Sequence, residues 1–159
     1  MVKFLFLDVD GVLCLGKGEN LHLDALHQLT RLVRKISVSV VLSSSWRLHP
    51  QAMAQLNTAF RMQRLQPIYS STPDLGHEMP LSAEDLRVHE ILAWLTAHSS
   101  ELEFGCLVES WVIVDDLDLS IPLSRRGFDP LAHFVHVDST IGLSAAACSA
   151  IEQLLDSQL

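Results

Sequence analysis

Long hydrophobic runs are missing from this sequence. No stretch reaches the roughly 20 consecutive apolar residues that a membrane-spanning helix requires. The apolar residues that follow Lys3 are interrupted by Asp8 and Asp10 before they reach the length of a signal peptide. We therefore expect neither a membrane span nor a membrane partner.

Cysteine is scarce as well. The three cysteines, Cys14, Cys106 and Cys148, are odd in number and are not spaced like the ligands of a metal site. The eight histidines are scattered, without the spacing of a transition-metal site. Since disulfides are rare in reducing compartments, we expect reduced, partly buried thiols in a cytoplasmic protein.

Positive charge is the third scarce feature. The sequence has 11 Lys and Arg against 19 Asp and Glu, which gives a formal net charge of -8. Broad nucleic-acid surfaces depend on Lys and Arg, so this balance disfavours one. A few local arginines still suffice to hold one phosphate group.

The length and apolar content indicate one folding unit. The chain has 159 residues, of which 48% are hydrophobic. This is enough for one substantial core and too little for two ordinary domains. We expect a single domain over residues 1–159, without a separate lid.

Strand-like apolar runs alternate with helical patterns along the chain. This alternation is typical of βαβ units, and it predicts an α/β fold with a mostly parallel sheet. Strands are predicted at residues 4–7, 38–42, 111–114 and 134–137, with a short one within 67–71. Helices are predicted at about 23–35, 50–60, from 82 onwards, and at 143–155.

The first strand ends in two carboxylates. Residues 4–7 are apolar without alternation, as in a strand covered on both faces, and Asp8, Asp10 and Gly11 follow. Ligands of open α/β sheets bind at the carboxyl ends of the strands. Two neighbouring carboxylates repel each other unless a cation or a shared proton relieves them, and oxygen-only ligands suit Mg²⁺. An Asp-Gly hairpin turn is the structural alternative.

Two later strands also end in polar residues. The second leads into Ser43, Ser44 and Ser45, then Trp46 and Arg47, and the strand at 111–114 leads into Asp115 and Asp116. Because parallel strands end at one edge, these groups are expected to meet Asp8. Asp138 ends a further strand and either lies near the site or caps the last helix, whereas Asp118 is either a supporting residue or simply solvated.

These motifs resemble the haloacid dehalogenase-like (HAD) phosphohydrolase superfamily. The sequences at 40–47, 87–95, 112–116 and 142–144 are similar to small capless members, among them the HAD domain of modular RNA-repair proteins. The resemblance implies a three-layer Rossmann-like sandwich without a large cap domain. It also implies a magnesium-dependent phosphatase that acts through an aspartyl-phosphate.

The resemblance assigns the reacting and metal-binding groups. Asp8 would attack phosphorus, and Asp10 would act as general acid and base. Asp8, the Asp10 carbonyl, Asp115 and Asp116 would bind Mg²⁺, with Asp115 the expected direct ligand and Asp116 bound either directly or through water. The alternative for Asp10 is a turn cap, and for Asp115 and Asp116 it is a helix cap.

For the phosphate-binding residues, the three consecutive serines leave two alternatives open. The resemblance places the phosphate on Ser44, or on Ser43 as the alternative, with Gly11 and Arg87 beside it. Arg47 would help to hold the substrate. The structural alternatives are serines that satisfy the loop backbone, and a surface Arg87 paired with Glu84 or Glu90.

The gaps between the motifs hold only single helices or short loops. An uncapped site suits a bulky phosphorylated partner, such as a polynucleotide end or a phosphoprotein, as well as small molecules. A non-catalytic phosphate-binding or signalling module on the same scaffold is the alternative function. Retention of Asp10 favours the enzyme, because an aspartyl-phosphate that turns over needs an acid/base beside it.

Overall fold

The computed structural model describes residues 2–16, 20–77, 80–99 and 108–158. Strands and helices alternate along the chain. The strands are β1 (Val2–Leu7), β2 (Ser39–Leu42), β3 (Ser70–Ser71), β4 (Val108–Asp115) and β5 (Phe134–His136). The helices are α1 (Leu23–Ile36), α2 (Pro50–Met62), α3 (Ala83–Ser99), α4 (Ser120–Arg125), α5 (Pro130–His133) and α6 (Ala145–Ser157), and Ser45–Leu48 forms a 3₁₀ turn.

The five strands form one parallel sheet in the order β3-β2-β1-β4-β5. β1 is the central strand, with Leu7 level with Leu42 of β2 and with Val114 of β4. The order of the sheet reverses between β1 and β4, because β2 and β3 extend to one side and β4 and β5 to the other. Ligands of such sheets bind at this reversal, outside the carboxyl ends of the strands.

Two apolar clusters cover the two faces of the sheet. Leu5, Leu7 and residues of α1, α2 and α6 form one cluster. Phe4, Phe6, Val41 and residues of α3 form the other, in which the Trp94 ring lies edge-on against Phe4 and Phe6. The fold is therefore a three-layer α/β sandwich of the Rossmann-like type, and no cap domain is present in the described residues.

Local chemistry determines where the longer helices begin. The Ser82 hydroxyl accepts a hydrogen bond from Asp85 N at 3.1 Å ahead of α3, and the Ser144 hydroxyl accepts one from Ala147 N at 3.2 Å ahead of α6. Such caps satisfy backbone N–H groups that have no partner inside the helix. Pro50 occupies the first turn of α2, where a missing N–H costs nothing.

Two expectations about composition can be compared with the structure. Among the helices of the described residues, none has both the length and the apolar character that a membrane crossing requires. Cys14 and Cys148 are buried free thiols, as expected, and burial raises the pKa of each to about 11. Cys106 lies outside the described residues.

Candidate active site

Asp8 and Asp115 lie side by side where the order of the sheet reverses. Asp8 N donates to the Val114 carbonyl at 3.1 Å, so the β1–β4 ladder runs on to the first carboxylate. Both residues are buried, with 3% of Asp8 and none of Asp115 exposed. The polar strand ends of β1 and β4 therefore meet at one edge, and the hairpin alternative for Asp8 is excluded because β1 is central.

Three carboxylates converge at this edge. One oxygen each from Asp8, Asp115 and Asp116 lies within 4.8 Å of the others. Burial raises the pKa of Asp8, and the charge of Asp116 adds to this, whereas Arg87 acts in the opposite direction. Burial and the neighbouring Asp8 charge also raise the pKa of Asp115. The negative charge of the cluster is thus only partly compensated by the groups around it.

Arg87 is the protein's own counter-charge to this cluster. Its Nη1 lies 3.0 Å from Asp8 Oδ1 and donates a short hydrogen bond to Asp115 Oδ2. Burial alone would lower the pKa of Arg87, but the charges of Asp115 and Asp8 outweigh it and raise that pKa. The alternative of a surface arginine paired with Glu84 or Glu90 is wrong, because its ion-pair partners are the two strand-end aspartates.

Asp116 is less buried than Asp115 and packs against the backbone of Gly11. Gly11 has φ +74°, and a Cβ atom at this position would lie 2.3 Å from Asp116 Oδ2. Only glycine combines this backbone conformation with such a close approach. Gly11 thus turns the chain after β1 and leaves the space that the Asp116 carboxylate occupies.

Asp10 is not a member of the carboxylate cluster and is held by an indole. Trp46 Nε1 donates to Asp10 Oδ1 at 2.9 Å, while the Trp46 side chain is itself buried. Asp10 remains exposed. The side chain therefore has a fixed position next to Asp8 with access to solvent, and no signal in the sequence indicated Trp46 as its partner.

Ser43 and Ser44 are both buried beside Asp8. Ser43 N donates to the Leu7 carbonyl at 3.0 Å, and its hydroxyl has no hydrogen-bond partner in the described residues. The Ser44 hydroxyl accepts from Trp46 N at 3.3 Å, which leaves its own hydrogen free to donate. The choice between the two as the phosphate-binding hydroxyl therefore stays a prediction.

Arg47 has a different role from the expected one. Its guanidinium donates to the carbonyls of Ser43, Ser44, Thr72 and Pro73 and to Glu90 Oε2, the last at 2.7 Å. An arginine has five N–H donors, and all five are used here. The expectation that Arg47 contacts substrate is corrected: it ties the loop after β2 to the loop after β3.

Glu90 completes this buried network, and its pairing with Arg47 was not predicted from the sequence. Only 4% of its side chain and 6% of that of Arg47 are exposed, and its second oxygen accepts from Leu75 N at 3.0 Å. The sequence signal that could have indicated Glu90 is its spacing from Arg87. Glu90 lies one helical turn after Arg87 and thus on the same face of α3.

Asp118 and Asp138 serve as turn residues. Asp118 Oδ1 accepts from Ser120 N at 3.0 Å, and Asp138 Oδ1 accepts from Thr140 N at 2.8 Å and from the Thr140 hydroxyl at 2.7 Å. These hydrogen bonds lower the pKa of both carboxyls. Asp138 does not cap α6, because Ser144 does.

The donor set of the cluster fits a hard divalent cation. It consists of carboxylate oxygens only, whereas zinc sites are usually built with His or Cys ligands. A divalent cation would also relieve the repulsion that Arg87 offsets only in part. Asp116 has the freer oxygens, because Asp8 and Asp115 both contact Arg87 and Asp115 also accepts from Leu117 N. Which of Asp115 and Asp116 would be the direct ligand stays a prediction.

A parallel sheet in this order, with an Asp-x-Asp-Gly strand end facing a second acidic strand end, defines a haloacid dehalogenase-like domain. The chain matches the family model described as "HAD domain in Swiss Army Knife RNA repair proteins" over residues 4–148. The protein belongs to this family. A comparison with curated proteins gave no match.

The close approach of Gly11 to Asp116 can be tested with alanine. Gly11→Ala should destabilise the fold and weaken Mg²⁺ binding by about tenfold or more, because the new methyl group displaces the Asp116 carboxylate. Gly127→Ala is the matched control, since Gly127 also has positive φ but nothing lies near its Cβ position. Urea unfolding and calorimetric Mg²⁺ titration measure both effects. Equal Mg²⁺ affinity in the two variants would contradict the assignment.

The buried Arg47–Glu90 pair should dominate the stability of the two loops it joins. Glu90→Ala leaves Arg47 buried without its partner and should lower the free energy of unfolding by about 3 kcal/mol. Glu90→Gln keeps an acceptor for Leu75 N and should cost less. Glu152→Ala removes an exposed pair with Lys35 and should cost under about 1 kcal/mol. Urea unfolding of the three variants tests this order.

Proposed function

We propose that the protein is a magnesium-dependent phosphomonoester hydrolase that acts through an aspartyl-phosphate on Asp8. The observation that carries this proposal is the grouping of Asp8, Asp115 and Asp116 within 4.8 Å beside Arg87, with Asp10 fixed separately by Trp46. The Asp8 carboxylate thereby lies against the Arg87 guanidinium, and the Asp10 carboxylate is kept apart for proton transfer.

Asp8 is the proposed nucleophile. Burial raises its pKa, so the anion needs a compensating charge, and Arg87 at 3.0 Å supplies one. In the first step an Asp8 oxygen forms a bond to phosphorus while the bond from phosphorus to the leaving alcohol breaks. In the second step a water oxygen attacks phosphorus, and the Asp8 carboxylate leaves.

Asp10 is the proposed general acid and base. It donates a proton to the leaving alcohol in the first step and accepts one from the attacking water in the second. Its exposure allows contact with both groups, and the Trp46 indole restricts the direction of its carboxylate. The two steps leave Asp10 in its starting protonation state.

The remaining predicted residues are proposed to bind the phosphate and the metal. The hydroxyl of Ser44 or Ser43 and the N–H of Gly11 would donate to phosphate oxygens, and Arg87 would add positive charge. Asp8, the Asp10 carbonyl, Asp115 and Asp116 would hold Mg²⁺. When bound, the ion supplies charge neutralisation between the carboxylates and an incoming phosphate.

The proposed substrate carries its phosphate on a bulky partner, such as a polynucleotide end. Two observations support this choice: no cap domain covers the carboxyl edge in the described residues, and the family's description refers to RNA repair proteins. Phosphoproteins and small phosphate esters are the alternative substrates, and the experiment below includes both.

Replacement of the two aspartates separates the enzyme from a non-catalytic binding module. Asp8→Asn should abolish magnesium-dependent phosphate release, and Asp10→Asn should slow it about a hundredfold or more while phosphate binding persists. Asp138→Asn is the control, because this carboxylate follows β5 but is held by Thr140. Release is measured over small esters, phosphopeptides and oligonucleotides with terminal phosphates.

Two outcomes would contradict the proposed chemistry. One is wild-type release by a folded Asp8→Asn protein. The other is a wild-type protein that releases no phosphate from any ester yet binds phosphorylated ligands with an affinity that Asp10→Asn leaves unchanged, as the binding module predicts.

The Trp46–Asp10 hydrogen bond predicts a selective loss of turnover. Trp46→Phe keeps an aromatic side chain but removes the N–H donor, so kcat should fall by about tenfold while KM changes little, in line with one charged hydrogen bond. Trp94→Phe is the control, because its indole donates to Ser70 within the core. Steady-state kinetics compare the two variants. Equal kcat values for Trp46→Phe and the wild type would overturn this role of Trp46.

A further inference from the structure

Positive charge is concentrated in one segment of the chain. Residues 25–73 contain none of the nineteen acidic residues and six of the eleven Lys and Arg. Although the whole chain has a net charge of -8, this segment is therefore strongly basic. This segment contains α2 and the part of α1 that follows Asp24, and the two helices cover the same face of the sheet.

Four arginines of this segment have no carboxylate partner among the described residues. They are Arg31, Arg34, Arg61 and Arg64, and all four are exposed. Every other Lys or Arg in the described ranges lies within 4.0 Å of a carboxylate oxygen. In the described ranges, the cations without a carboxylate partner thus lie in the second half of α1, at the end of α2 and two residues beyond that end.

These four side chains lie on the second half of α1, at the end of α2 and just after it, and we call this region the arginine surface. Arg34 Nη2 donates to the Gln63 carbonyl at 2.9 Å and so joins the ends of the two helices. Arg31 and Arg34 are one helical turn apart, as are Arg61 and Arg64 in sequence. Arginine, with its planar fork of donors, is the residue best suited to phosphate oxygens.

A cavity of about 520 Å³ adjoins the arginine surface. Arg34 and Arg64 line its rim, Val40, Phe60 and Leu65 contribute apolar wall, and Tyr69 lines it as well. The Tyr69 ring is half exposed and packs against Phe4 and Trp94 of the α3-side cluster, at 5.3 and 6.3 Å between ring centroids, so Tyr69 lies at the edge of this cavity. A cavity of this size and lining suits a planar, partly apolar group such as a nucleobase.

We propose that the arginine surface binds a single-stranded polynucleotide, with phosphates on the four arginines and one base in the cavity. The cavity favours this ligand over an acidic peptide, which offers negative charge but no planar base to fill it. The proposal rests on the proposed function, in which the same strand carries the phosphate to Asp8.

The arginine surface is separate from the carboxylate cluster. α1 starts after the carboxyl end of β1 and runs back along the sheet, so Arg34 lies about 16 Å along the helix axis from its start. A strand bound here would need several nucleotides to reach Asp8. The surface thus selects long substrates without taking part in the chemistry.

Binding is measured by fluorescence anisotropy with a labelled oligouridylate of about 12 nucleotides that lacks terminal phosphates, without divalent cations. For four phosphate contacts, the affinity of the wild type should fall about 50-fold between 50 and 200 mM salt. For Arg61→Gln/Arg64→Gln the fall should be about 7-fold, because two contacts remain. Lys3→Gln/Arg125→Gln removes the same charge elsewhere and should behave like the wild type.

Two further probes distinguish the ligand classes. An abasic strand of equal length should bind several-fold more weakly than the oligouridylate, and polyglutamate should bind more weakly still. Polyglutamate binding as tight as the oligonucleotide would overturn the proposal in favour of an acidic peptide. A salt-sensitive dimer of the protein alone, lost in Arg61→Gln/Arg64→Gln, would overturn it in favour of a second copy.

The outcome is independent of catalysis. Hydrolysis of a small phosphate ester should be unchanged in Arg61→Gln/Arg64→Gln, because neither residue is near the carboxylate cluster. If the wild type releases no phosphate from any ester, the proposed function is contradicted. If Arg61→Gln/Arg64→Gln and the wild type bind the oligonucleotide equally well, polynucleotide binding by the arginine surface is contradicted.

Discussion

The contact of Arg87 with Asp8 and Asp115 is the interaction on which the rest of the site depends. Two buried carboxylates at the ends of adjacent strands repel each other, and one guanidinium offsets part of that repulsion. Arg87 comes from α3, on the face of the sheet opposite α1, so the site depends on correct packing of that helix. The remaining negative charge is what makes the edge a suitable place for a divalent cation.

The loop after β2 is held in place by a second arginine with a different task. Arg47 uses every donor on carbonyls of two loops and on Glu90, which itself lies one turn beyond Arg87 on α3. One helix therefore supports both the carboxylate cluster and the loop that carries Ser43, Ser44 and Trp46. Through Trp46 this support extends to Asp10, although Asp10 and Glu90 are far apart in sequence.

The α/β fold and the meeting of strand ends were predictable because they follow from local patterns. The apolar run before Asp8 and the two aspartates at the end of β4 are each visible in a single segment, and the helix predicted from residue 82 onwards corresponds to α3, which begins at Ala83. The Arg47–Glu90 and Trp46–Asp10 contacts were not predictable, because they join residues 43 and 36 positions apart. Sequence alone shows that Arg47 is charged, but not that its charge is buried.

The central claim is that Asp8 is phosphorylated during turnover. The most direct measurement begins by letting the protein react with a phosphate ester and stopping the reaction with acid. The protein is then reduced with borohydride, which converts an aspartyl-phosphate to homoserine, and its peptides are mapped by mass spectrometry. The account predicts homoserine only at the position of Asp8, and only when substrate and Mg²⁺ are both present. Homoserine at Asp10 or Asp115 instead, or phosphate release without any modified aspartate, would contradict it.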